Sequence, residues 1–382
     1  MQTAIFQWKP STGWATGKIE PATVDLVVYL GSRATLLTTP VFEQLRALCP
    51  HALLLGCSTS GQIDGSQIED DGIAAVALQF RATEIKGVSR KLDDAAQSYQ
   101  VGAEMGRVLA RPDLAGVFLL ADGLRSNGST LVAGLVSQVG SVPITGGLAG
   151  DGVEFAETLV GLDGAPQTGM AAAIGFYGKS IRIGHGTAGG WDVFGPKRHI
   201  TRSRGNILLD LDGRPALDLY ERYLTEEDFK ALPGSALFFP LQIHNPQHPE
   251  HAVVRSVLGV DLKNKTLSFA GEMPEGWVAQ LMRGTLHRLA EGAAEAATQA
   301  REGLKNERDS DGVAILISCV ARRMLMGQRT LEEIEAAGTI LGAHLQRIGF
   351  YSYGEIAPHA KSGISDLHNQ TMTVTTITET AA

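Results

Sequence analysis

Short, unbroken apolar runs separated by polar, glycine-bearing segments dominate the first half of the chain. Asp25 to Leu30, Ala52 to Leu55, Ile73 to Leu78 and Gly116 to Leu120 read as strands. A run without alternation has no solvent face, so these strands are expected to be buried on both sides. Helical spacing lies between them. Pro40 opens a helix through Phe42, Leu45 and Leu48 that Pro50 ends. Asp93 to Ala110 reads as a second helix, with Asp93 or Asp94 near its start. Asn127-Gly128-Ser129 caps a third, through Leu131, Leu135 and Val139. The polar residues collect in the loops at strand ends, where open α/β sheets commonly take ligands. The loops at Gly56, Asp122 and Gly146 are candidates for one such rim. Met170 to Tyr177 and Ile181 to Gly184 then follow as strands in direct succession, which predicts an antiparallel extension.

The segment Gly184 to Pro196 reads as a long glycine-rich loop carrying His185, Trp191 and Phe194. Gly205 to Gly213 reads as a hairpin with Asp212-Gly213 at its turn. A domain boundary is placed at residues 214/215. Beyond it come a strand at Ala236 to Phe239, two strands within Val253 to Phe269 and a long helix from Val278 to Leu304. Alanines between 290 and 300 would let a neighbour pack closely on that helix. Val313 to Cys319 is a buried strand. Thr330-Leu331-Glu332-Glu333 has the form of a capping box for a helix reaching His344. The expected architecture is α/β to α+β: two domains, 1–214 and 215–382, with mixed, partly antiparallel sheets flanked by helices. No repeat of short fixed period is evident.

Composition narrows the classes of function. The chain has 382 residues and a formal charge of −8. With no block of basic residues, nucleic acid is not expected as a partner. No apolar run reaches membrane-spanning length, and the first ten residues lack the charge and hydropathy of a signal peptide. Cys49, Cys57 and Cys319 are few and odd in number, which fits a reducing cytoplasm better than a disulfide framework.

Thr145 to Gly152 carries four glycines in eight residues. Such a segment lets backbones approach closely or exposes N–H groups to a polar ligand. It has neither the lysine of a phosphate-binding P-loop nor the GxGxxG spacing. A tight turn against a sheet is the alternative. Together with other segments in the same order, this stretch resembles the FIST family (F-box and intracellular signal transduction). The similar segments are Gly56 to Gly61 (GCSTSG), Ala121-Asp122-Gly123, Gly146 to Gly152 (GGLAGDG), Gly184-His185-Gly186 and Leu211 to Ala216. In the second half they are Ser318-Cys319, Gly349 to Ile356 (GFYSYGEI) and Leu367 to Thr371. The resemblance spans most of the chain. It implies a FIST N plus FIST C sensor that binds a small ligand, with amino acids proposed, and signals to a partner. A chain without an attached transmitter looks like the subset that binds haem, senses nitric oxide and acts on a separate histidine kinase or cyclic di-GMP enzyme.

On that implication His185 is the first candidate for haem iron, with Trp191 and Phe194 beside it. His199, His344 and His368 follow. A hydrogen-bonded loop histidine is the alternative for His185. His368, Asn369, Gln370 and Thr371 offer donors and acceptors for a carboxylate or amide, or a strand-end network. Cys57, Ser58 and Thr59 are a candidate binding segment. Cys57 reads either as a nucleophile or as a small buried residue without a local base. Asp122, Asp151 and Glu355, with Gly147, could bind an amino group or cap turns. His244, His248 and His251 read as a polar loop rather than zinc ligands, since Pro246 and Pro249 disfavour a helix. Arg322 and Arg323 could hold a carboxylate or end a strand in solvent. The expected function is a cytoplasmic, non-enzymatic sensor using haem and nitric oxide. The alternatives are a haem-free sensor of an amino acid or similar metabolite, and a hydrolase using Cys57 or an acid pair.

Overall fold

Three times along the chain a buried apolar strand runs into a helical segment and returns as its parallel neighbour. In the computed structural model, which describes residues 1–232, 234–304 and 311–380, these pairs are Leu26–Ser32 with Leu53–Thr59, Leu114–Ala121 with Ile144–Leu148, and Gly312–Cys319 with Leu345–Ser352. After each second strand the chain crosses to another pair and binds it antiparallel. Gln62–Asp64 joins Leu345–Ser352, Gly354–Pro358 joins Ile144–Leu148, and Val160–Leu162 joins Leu53–Thr59. The register repeats: Gln62 faces Phe350, Glu355 faces Gly147, and Val160 faces Cys57. Three six-stranded sheets are thus linked in a closed ring.

Strand alternation builds the common core. Leu26, Val28 and Leu30, Phe118 and Leu120, and Ile315 and Ile317 point inward from the three sheets and share one cluster with Cys57 and Phe350. The opposite faces are covered by helices. Leu131 and Leu135 lie against Leu119, and Ile334 and Ala337 belong with Leu316. The alanine-rich helix Leu286–Gly303 lies on the strand Ile181–Ala188. A Cβ at Gly184 or Gly186 would collide with the carbonyl oxygen of Ala300 or Ala296, so these glycines set how closely the helix approaches.

Residues 191–284 hold a separate nine-stranded antiparallel sheet with its own core, including Ile200, Tyr220, Ile243 and Phe269. It is inserted between the strand Ile181–Ala188 and the helix Leu286–Gly303. Strand Gln62–Asp64 belongs to the same sheet as Gly312–Cys319, so the ring itself joins residues from both sides of 214.

Several local expectations change. Gly184 to Pro196 is not one loop: Ile181–Ala188 pairs along Met372–Glu379, and Trp191–Val193 pairs with Val278–Gly284. Gly184 and Gly186 there serve helix contact, while Gly190 and Gly195 take positive φ where the backbone turns. Cys57 to Thr59, and Gly146 and Gly147, likewise lie inside strands. The long helix starts at Leu286, because Val278–Gly284 is a strand. Asp94 caps a short turn through Ala96 N–H, and the α-helix begins at Ser98. Thr330 makes no side-chain cap. Glu333 turns into the core instead, and the helix stops at Leu341, short of His344.

Candidate functional site

The carboxyl ends of the parallel strands and the loops that follow them carry most of the expected ligand-binding residues, and hydrogen bonds within the chain occupy the polar ones. Asp122 Oδ1 accepts from the Leu124 and Arg125 N–H groups and from the Thr158 hydroxyl, and Oδ2 accepts from Gly169 N–H. Asp151 accepts from the N–H groups of Phe155, Ala156 and Glu157, from the Tyr353 hydroxyl and from Arg33. Burial raises its carboxyl, but these donors more than offset that, and it titrates below the usual range. Ser58 Oγ accepts from Leu159 N–H, and Thr59 Oγ1 accepts from Gly61 N–H. Gly147 packs beneath Ile317 and Phe350. Cys57 faces the core, and burial pushes its thiol up, which is the wrong direction for a nucleophile. These residues fasten three loops together.

The C-terminal segment is different. Glu355 is fully buried and accepts from the Ser352 hydroxyl at 2.7 Å and from the Thr371 hydroxyl and N–H at 2.9 and 3.1 Å. Burial raises its pKa to about 8 despite those bonds. His368 faces Glu355 across the strand pair, and its Nε2 meets the Ala357 carbonyl at 3.0 Å. Burial drives its pKa down to about 4. The carboxamide of Asn369, also fully buried, has no partner for either polar atom among the described residues. His368, His359, His251 and His248 form a file of imidazoles, with successive ring centres 5.6 to 6.0 Å apart. Among the described residues no cluster of three or more histidine, cysteine or acidic groups is placed to hold a metal ion.

His185, Trp191 and Phe194 lie in three settings. His185 sits mid-strand opposite Thr375, where burial lowers its pKa. Trp191 donates its indole N–H to the Gln370 carbonyl at 2.7 Å and covers Gly284. Phe194 meets Tyr223 edge-on at 5.6 Å. Both arginines after Cys319 hold carboxylates: Arg322 is buried against Glu333, and Arg323 forks onto Asp70.

The largest unspent chemistry lies in the seam between the nine-stranded sheet and the ring, at a residue the sequence reading passed over. Arg255 ends the strand His248–Arg255 and is 3% exposed. Its guanidinium donates to the carbonyls of Leu367 at 3.0 Å and of Val254 and Glu272 at 3.3 Å, and to Ser129 Oγ at 3.2 Å. Among the described residues it makes no ion pair within 4.0 Å. The Glu272 carboxylate instead takes the Asn127 amide at 2.6 Å. Burial lowers the guanidinium pKa, opposed by the more distant charges of Asp366 and Glu272. Above Arg255 opens a cleft of about 430 Å³, walled by Ala133, Val136, Pro274, Trp277 and Ile364. A signal for it existed. Val253, Arg255 and Val257 share one face of an alternating segment, so an arginine stands where the pattern asks for a core residue.

Two domain signatures match in tandem. The FIST N domain covers residues 25–214 and the FIST C domain residues 216–358. The chain belongs to the FIST family. FIST domains mark small-ligand sensors of signal transduction, and no helix among the described residues of this FIST chain is long and apolar enough to cross a membrane. No curated protein matches it. One solved structure with a related chain course is cyanuric acid hydrolase from A. caulinodans. It shares 9% identity over 95% of this chain and 92% of that one, at a TM-score of 0.41, too distant to inform function.

Proposed function

We propose that this FIST sensor binds a small carboxylate-bearing metabolite, such as an amino acid, in the seam cleft above Arg255, without haem. The observation that carries the reading is a buried guanidinium without an ion pair among the described residues, lining a cleft that has one apolar wall of Ala133, Val136, Pro274, Trp277 and Ile364. Burying a charge without a counter-ion costs several kcal/mol, and a ligand carboxylate would recover part of that cost through charge-assisted hydrogen bonds. Ser129 and Ser365 line the same cleft and add hydroxyls. Glu272 and Asp366, which also line it, suit an ammonium group. Trp277 and Val136 offer a wall for a side chain. The cleft volume falls in the range common for small-molecule sites.

Haem fits less well. His185 lies mid-strand, Trp191 over Gly284 and Phe194 against Tyr223, and among the described residues no histidine lines the Arg255 cleft. The partner remains a separate histidine kinase or cyclic di-GMP enzyme, reached by direct contact in the cytoplasm. A ligand that binds one arrangement of the seam better than another would shift its population, and partner affinity would follow.

Thermal unfolding with a panel of amino acids, their amides and the matching amine-free acids tests the reading. At a concentration of about 100 times Kd a true ligand stabilises by about 2.7 kcal/mol. The amides should fail, and Arg255→Gln should abolish the effect. Stabilisation by the amides equal to that by the acids would remove Arg255 from the site. A stoichiometric Soret band after haemin loading and desalting, lost in His185→Ala, would replace the metabolite reading.

A further inference from the structure

A second cavity lies in the same seam and has a different chemistry. It measures about 80 Å³ and sits at the ends of the strands Leu114–Ala121, Ile144–Leu148 and Gly312–Cys319, facing Leu258 of the nine-stranded sheet. Its walls include Leu148, Phe155, Val320, Met324 and Tyr353, and no charged residue lines it. The rings of Phe155 and Tyr353 stack at 4.6 Å. Phe155 is held at φ 49°, a backbone region that bulky residues avoid, while its N–H is tied to Asp151. The polar exception that matters is Ser256. It lines the cavity, is 3% exposed, and its hydroxyl has no partner among the described residues. A buried hydroxyl without a partner is destabilising, and a ligand group that pairs with it removes that cost. The mouth is apolar too: Leu124, Phe155, Leu258 and Met324 all remain exposed. The Cys319 sulfur also lines the wall, as a neutral thiol raised by burial.

We propose that this cavity binds a compact aromatic or comparably apolar molecule carrying one hydrogen-bonding group, which pairs with the Ser256 hydroxyl. The volume suits roughly six to eight heavy atoms, the size of phenol, when one water needs about 10–15 Å³ on this measure. The lining gives a charged amino acid or a phosphate no partner. This site therefore stands apart from the Arg255 cleft, although Arg255 and Ser256 are consecutive and the two sites share a stretch of backbone. Its success or failure does not depend on the carboxylate reading.

The test is calorimetric and thermal titration of the full chain with phenol and with toluene. Phenol should bind saturably and about five- to tenfold more tightly than toluene, the worth of one modest hydrogen bond. Ser256→Ala should erase the preference while leaving toluene binding in place. Ala270→Leu, which adds bulk to the cavity wall, should weaken both. Absence of saturable binding by either probe would overturn the proposal. So would an undiminished phenol preference in Ser256→Ala.

Discussion

Glu355→Gln gives the sharpest test of how the ring works. In the repeated connection, Gly349 to Ile356 occupies the place of Gly56 to Ile63, and Glu355 stands where the first unit has Gln62. The first unit thus fills the position with a neutral amide, while the third uses an acid whose pKa burial raises to about 8 from a reference of 4.5. Burial is the main cause; the Ser352 and Thr371 hydrogen bonds and the Arg322 charge pull the other way. The folded state keeps a proton that the unfolded state releases above pH 4.5. The stability this group contributes is therefore fully present below that pH and is lost as pH rises through about 8. At about 1.4 kcal/mol per pH unit, raising the pH from about 5 to about 8 would cost at most about 4 kcal/mol. Urea unfolding of wild type and Glu355→Gln at intervals across that range measures it. Titration of other groups cancels in the difference between the two proteins. The wild type should lose a few kcal/mol relative to the variant as pH rises. A constant difference would mean that Glu355 is ionised throughout, and the argument from burial would be wrong.

His368 has the opposite sign. Its pKa is depressed by burial to about 4 from 6.5, so its stability is present above 6.5 and lost as pH falls through 4, at most about 3 kcal/mol; acid unfolding of His368→Gln should be correspondingly flatter. Glu333→Gln leaves Arg322 buried without its counter-ion and should cost about 3–5 kcal/mol, much of it recovered by adding Arg322→Met, as a double-mutant cycle in urea would show. Gly186→Ala drives a methyl group into the Ala296 carbonyl and should lower stability by about 1–3 kcal/mol, against a near-neutral Thr298→Ala on the exposed side of the same helix. Arg255→Met should remove carboxylate binding in the same thermal titration, and it should cost the ligand-free protein about 1–3 kcal/mol because the buried Leu367 carbonyl loses its guanidinium donor.

The strands Leu26–Ser32, Leu53–Thr59, Ile73–Gln79, Leu114–Ala121 and Gly312–Cys319 could be read from the sequence because unbroken apolar runs admit few other interpretations, whereas the polar strands Gln2–Lys9 and Glu84–Lys91 could not, and Ala236 to Phe239 falls largely in a 3-10 turn rather than a strand. The ring could not be read either. Its repeat lies in connectivity and register, and only scattered positions such as Gly56/Gly349 and Gly61/Gly354 keep a trace of it. The glycine-rich stretches misled for a related reason. Glycine at Gly184 and Gly186 records a helix lying on a strand, and periodicity along the chain carries no information about a neighbour from another part of it. Asp122 and Asp151 turned out to spend themselves on backbone N–H groups, which residue type alone does not reveal. Arg255 was legible in principle, as a charge on the apolar face of an alternating strand, but it lies outside every glycine-rich motif that drew attention.

The position of both clefts follows from how the nine-stranded sheet is attached. Its residues enter after Ala188 and leave before Leu286, and these two points lie together: Gly190 rests against the backbone of Arg288, and Trp191 covers Gly284. The sheet is therefore tethered at one place and meets the ring elsewhere through side chains, Arg255 with Leu367 and Ser129, and Gln370 with the Leu237 carbonyl. A covalently narrow, laterally broad contact lets small changes in the seam alter the angle of a whole unit, whereas a site inside the ring would have to deform close-packed core. A ligand gripped from both sides favours whichever angle brings Arg255 and Trp277 onto it. On the proposed reading the tether would pass that preference to the helix Leu286–Gly303, which Gly184, Gly186 and Gly190 hold close to the strand Ile181–Ala188. Sensing at the seam needs no motion within the three sheets, which is consistent with spending Asp122, Asp151 and Ser58 on keeping their loops fixed.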